Sequence, residues 1–158
     1  MLDLEPNGTV ARIANPSLLP LAFLIGNWRT TGTHPMRPDR VLHGRTSFDW
    51  LEGGAFLIVR SHIDDPDFPA GLAIIGSDNV ARTFNMTYFD ERGVSRLFDV
   101  AITDRSITWR RYDQQLSQCN TIVATDDGMT LVSTARMSEA GGTWGDDLSQ
   151  TFHREDGQ

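Results

Sequence analysis

Lysine is absent from this chain of 158 residues, and all fourteen basic residues are arginines. A Schiff-base amine is therefore unavailable, and that branch of covalent catalysis is excluded. There is one cysteine, Cys119, so neither an internal disulfide nor a multi-cysteine metal site can be built. No apolar run approaches the ~20 residues that span a bilayer. Met1 to Ala14 has neither the basic start nor the apolar stretch of a secretory signal. These absences read as a cytoplasmic protein without membrane insertion. Excess positive charge is missing too: the net charge is −7, and a surface without clustered cations is a poor partner for nucleic acid.

Several chemical signatures are also absent. There is no G-x-S-x-G elbow, no phosphate-cradling glycine loop and no dinucleotide fingerprint. The carboxylates Asp64, Asp65 and Asp67 lack the glycine and distal glutamate of a calcium loop. The histidines, His34, His43, His62 and His153, show no compact zinc spacing. Neither a metal nor a cofactor is expected.

What is present is a regular succession of short β-rich runs. Met1 to Asn15 has no sustained period and reads as an arm (residues 1–15). Residues 16–158 form a single domain that opens with an apolar helical turn, Pro16 to Ile25, stopped at Gly26 like a plug. Beyond Gly26, strands are expected at 27–34, 41–51, 55–63, 71–77, 82–89, 94–102, 106–112, 116–125, 129–137 and 143–153. Their spacing is roughly the 8–12 residues of an all-β sandwich or barrel. Glycine and Asx residues supply the turns at Glu52-Gly53-Gly54, Asp90-Glu91-Arg92-Gly93 and Asp126-Asp127-Gly128. No stretch after Gly26 keeps the apolar spacing of a surface helix. The expected fold is all-β: an antiparallel, up-and-down barrel of about ten strands with a short N-terminal helical plug. Closure is preferred to a sandwich because it removes exposed strand edges.

Gly26-Asn27-Trp28 on the first strand and Arg154 after the last resemble lipocalins and their relatives, the calycins. In that group the G-x-W tryptophan closes the barrel floor beneath a cation from the last strand. The stretch Leu21 to Trp28, with Thr31-Gly32-Thr33, Trp50 to Leu57 and Tyr88 to Arg96, is similar to a bacterial lipocalin-like family with fatty-acid-binding-protein-like barrels. Nitrobindins are its best-known neighbours. That resemblance implies haem held by a histidine on the last strand. Here Asp147 occupies the corresponding position, a poor substitute for an axial imidazole, and His153 stands where no ligand is expected. Haem is accordingly disfavoured.

Alternation along the strands selects candidate ligand-binding residues. On the third strand Arg60 and His62 share a face with Phe56 and Ile58, although the opposite face, Ala55, Leu57, Val59 and Ser61, is also apolar. On the fifth, Phe84, Met86 and Tyr88 form the interior set. Arg96 shares a face with Phe98 and Val100, and Trp109 with Ile107 and Arg111. Arg96 and Arg111 have two placements: outward, the commoner fate of arginine, or inward with an acidic partner. Arg60, His62, Tyr88, Arg96 and Trp109 are the candidate site of a binding protein for a small hydrophobic molecule with an acidic group. The alternative is a cofactor-independent isomerase, cyclase or lyase using His62 or an internal aspartate as acid or base, with Tyr88 as donor. A third reading, a protein–protein module or homodimer, would use an apolar patch outside the barrel.

Overall fold

The computed structural model describes residues 13–155. They build one antiparallel sheet: β1 (Gly26–Thr33), β2 (Leu42–Leu51), β3 (Phe56–Ile63), β4 (Gly71–Asp78), β5 (Thr83–Asp90), β6 (Ser95–Ile102), β7 (Ser106–Arg111), β8 (Leu116–Ala124), β9 (Thr130–Glu139), β10 (Gly145–Asp146) and β11 (Ser149–Arg154). Each strand from β1 to β9 pairs with the next, β9 pairs with both β10 and β11, and β11 returns to β1. The sheet thus closes into a ten-stave barrel in which β10 and β11 share the tenth stave, as the strand spacing predicts.

The tenth stave is broken rather than continuous. Asp146 lies opposite Arg136 and Gln150 opposite Ser133, so the register slips by one residue between them. That is a β-bulge, which re-aims the side chains around it. It falls on Asp147 and Leu148.

The plug is a 3₁₀ helix, Pro16–Leu24. At three residues per turn, positions i and i+3 eclipse. Leu18, Leu21 and Leu24 therefore stack on one side, and all three are fully buried. Asn15 caps the helix by accepting from the Ser17 N–H, and its amide also donates to Ser77 Oγ at 2.9 Å. Ala14 and Asn15 donate to the carbonyls of Gly53 and Gly54, so the described end of the arm is tied to the β2–β3 turn. The rest of the arm, residues 1–12, lies outside the described residues.

The floor is organised by Trp28. Its indole N–H donates to Leu24 O at 2.8 Å, and the Arg154 guanidinium lies 4.1 Å above its ring centroid. Arg154 also donates to Ile25 O at 2.7 Å and to Phe23 O at 3.1 Å, stitching the last strand to the end of the plug. Gly26 is required there: its φ is +136°, and a Cβ would stand 2.6 Å from Arg154 Nη1. The G-x-W glycine thus makes room for the cation that covers the tryptophan.

Candidate ligand-binding lumen

A barrel of about eight strands is just filled by its own side chains, and additional strands widen it. This ten-stave barrel accordingly keeps a cavity of about 380 Å³ above the Trp28 floor. Phe48, Met86, Phe98, Ile122 and Phe152 supply its apolar lining. Ser133 and Asn120 add a polar strip, with Ser133 Oγ donating to Asn120 Oδ1 at 2.9 Å.

Two loops roof the mouth, residues 34–41 and 64–70. Asp65, whose side chain is almost wholly buried, receives Arg40 Nη2 at 2.7 Å and has Arg37 Nε at 3.4 Å. Arg37 also pairs with Asp67, and the Asp67 N–H donates to Asp65 Oδ1 at 2.9 Å. Asp65 is thus a fastening between the two loops, while Asp64 and Asp67 stay largely exposed.

His34 holds the same roof to the tenth stave. Its Nε2 lies 3.1 Å from Asp147 Oδ1, while its Nδ1 accepts the Met36 N–H at 3.0 Å. An accepting Nδ1 carries no proton, so this is the neutral tautomer, with Nε2–H donating to the carboxylate. The ring packs edge-on against Phe68, centroids 5.2 Å apart. Both ring nitrogens are engaged, which suits a pin and leaves no free nitrogen to act as a base. The bulge explains why Asp147 can reach His34.

Tyr88 stands on the opposite wall. Its hydroxyl donates to Asp90 Oδ2 at 2.8 Å, and Arg92 grips the same carboxylate at 2.7 Å and 3.2 Å. The Arg92 hydrogen bonds hold the Asp90 carboxyl far below its usual range against the cost of burial. Burial, then the hydrogen bond to Asp90, pushes the Tyr88 phenol up to about 12. Arg92 is thereby neutralised. Arg96, cross-strand from Tyr88 and half-buried on the cavity wall, is not: among the described residues it has no hydrogen bond or ion pair.

Four of the five sequence candidates, His62, Tyr88, Arg96 and Trp109, border the cavity. The placement of Arg60 is corrected. Val59 and Ser61 turn inward on the face of the fully buried Leu57, while Arg60 faces solvent. His62 reaches only the rim, with its imidazole 63% exposed and its Nε2 3.1 Å from Asp64 Oδ1. The sequence reading missed the His34–Asp147 pin and the Arg92–Asp90 clamp. The second was detectable in principle, because an Asp-x-Arg pair across a tight turn places the two charges together. Among the described residues no group of three or more histidine, cysteine or acidic side chains could hold a metal. No described helix is long and apolar enough to cross a membrane.

No protein-family profile matches the chain, and no curated protein does. Among solved structures, the crystal structure of Rv2717c from M. tuberculosis matches over 97% of this chain and 99% of that one, with a TM-score of 0.59 at 17% identity. At that identity the likeness is one of fold.

Proposed function

We propose that the barrel binds a small, mostly apolar molecule carrying an acidic group. The observation that carries this reading is the unpaired Arg96 in the wall of a mostly apolar cavity of about 380 Å³. A partly desolvated cation without a counter-ion is costly, and an anionic ligand would relieve that cost. The volume lies within the range of roughly 300–1,000 Å³ typical of small-molecule sites. Tyr88, protonated throughout the physiological range, and Trp109 would flank the ligand.

The donor set counts against haem as the occupant. An axial ligand needs a free imidazole nitrogen, and both nitrogens of His34 are engaged. Asp147, at the position where the nitrobindin-like pattern has its histidine, is bonded to His34. The isomerase, cyclase or lyase alternative used His62 or an internal aspartate as acid or base, and the His62 ring, at the rim and 63% exposed, is weakened in that role.

The test is titration with 8-anilino-1-naphthalenesulfonate, which joins apolar rings to an acid, alongside native mass spectrometry of protein purified gently from its own host. One dye per chain, displaced by hydrophobic acids, is expected. Absence of both dye binding and a retained molecule would overturn the reading.

A further inference from the structure

The barrel wall is not equally closed all round. The β6–β7 ladder runs from Ile102↔Ile107 to Asp99↔Arg110 and stops there, although β6 continues back to Ser95 and β7 on to Arg111. Ser95–Phe98 are held by β5 alone, and Arg111 by β8 alone. A fissure is left between the two strands near the roofed end of the lumen. A groove lies over it on the outside.

Arg96 borders both the lumen and this groove, and it is the residue the two share. Arg111 lines the groove as well. Its Nε is buried and has no hydrogen-bond partner among the described residues, while its Nη2 makes a long ion pair with Asp113 Oδ2 at 3.8 Å. Two arginines with unused donors thus border one groove beside a stretch where the wall is unpaired. On the outer lip, Leu97 is 73% and Tyr112 71% exposed, an apolar rim beside a cationic gap. The loops over the mouth are fastened through Asp65 and His34.

We propose that this fissure is an oxyanion subsite: a carboxylate head is gripped between Arg96 and Arg111 while the apolar tail lies in the lumen, so the ligand passes through the barrel wall. The subsite rests on the lumen-binding reading for its tail but not for its head. A planar carboxylate matches a guanidinium edge and takes two parallel N–H donors. Arg111 becomes a ligand-contacting residue and the class of ligand a linear or flat hydrophobic acid.

Nuclear magnetic resonance with two probes of equal tail, decanoate and 1-decanol, separates the parts. The Arg96 and Arg111 Nε–H signals report the fissure, and the Met86 methyl reports the lumen. Decanoate should shift all three, and decanol only Met86. If decanoate moves Met86 but leaves Arg111 as decanol does, the subsite is overturned and lumen binding stands. If decanoate moves the arginine signals but neither probe moves Met86, the anion subsite stands and the lumen reading falls. Silence everywhere overturns both. In Arg111→Met the preference for decanoate over decanol should fall about tenfold, as loss of a charge-assisted hydrogen bond implies; an unchanged preference would also overturn the subsite.

Discussion

Tyr88, Asp90 and Arg92 are held together by hydrogen bonds, and the consequences are readable by titration. Tyr88 has its pKa raised to about 12 by burial and by the Asp90 carboxylate. A group with a raised pKa stabilises the fold fully below its unfolded value of about 10 and loses that contribution as pH climbs through the folded value. With Tyr112→Phe removing the only other tyrosine, phenolate absorbance should appear near pH 12, together with loss of stability between pH 10 and 12. Ionisation near pH 10 would show the hydroxyl to be solvated. Asp90 has the opposite sign: its lowered pKa contributes stability above about pH 4, the ordinary aspartate range, and that contribution is lost as pH falls through the lower folded value. Asp90→Asn should therefore flatten the acid limb of the stability curve. None of this was legible in the residues one by one. Tyr88 and Arg96 were found because alternation marks a face, but the pairing of Arg92 with Asp90 depends on how tightly the β5–β6 turn folds.

At the scale of elements, the strands were legible because glycine and Asx turns separate alternating runs. Their bounds agree with the structure to within a few residues everywhere except the tenth stave. There the bulge at Asp147 leaves no mark that composition can reveal, since it is defined by the partner strand. The inward face of β3 was undecidable for a related reason: both faces are apolar, Leu57 and Ile58 are both buried, and only the turn of Val59 and Ser61 into the cavity decides between them. The helical plug was foreseen but not its winding. A 3₁₀ helix of nine residues exceeds the usual run of about three or four, and tertiary burial of its leucine row must hold it. Leu21, in the middle of that row, is the place to measure this. Leu21→Ala should cost about 2–5 kcal/mol in urea unfolding with an unchanged slope, the usual penalty for a large-to-small core change. A cost below about 1 kcal/mol would mean that the plug is an ornament on a barrel that is stable without it.

For the whole molecule, the question is whether the space inside is a binding site or an incidental consequence of strand number. Ten staves leave room whatever the function, so volume alone decides nothing, and the argument must come from the lining. An incidental void would be expected to be uniformly apolar, because unmatched polar groups within it are destabilising. This one instead carries an unpaired arginine on an acidic protein, beside a gap in the wall. Filling the space separates the two cases. Ala135 on β9 lines the cavity opposite Asn120, and Ala135→Phe should project a ring into the void without displacing the plug, the floor or the roof fastenings. Stability should stay within about 1.5 kcal/mol of the parent, since the added group enters empty space instead of a packed core. Dye and decanoate binding should both disappear. A variant that folds and still binds both probes with parental affinity would place the ligand outside the lumen and return attention to the outer wall.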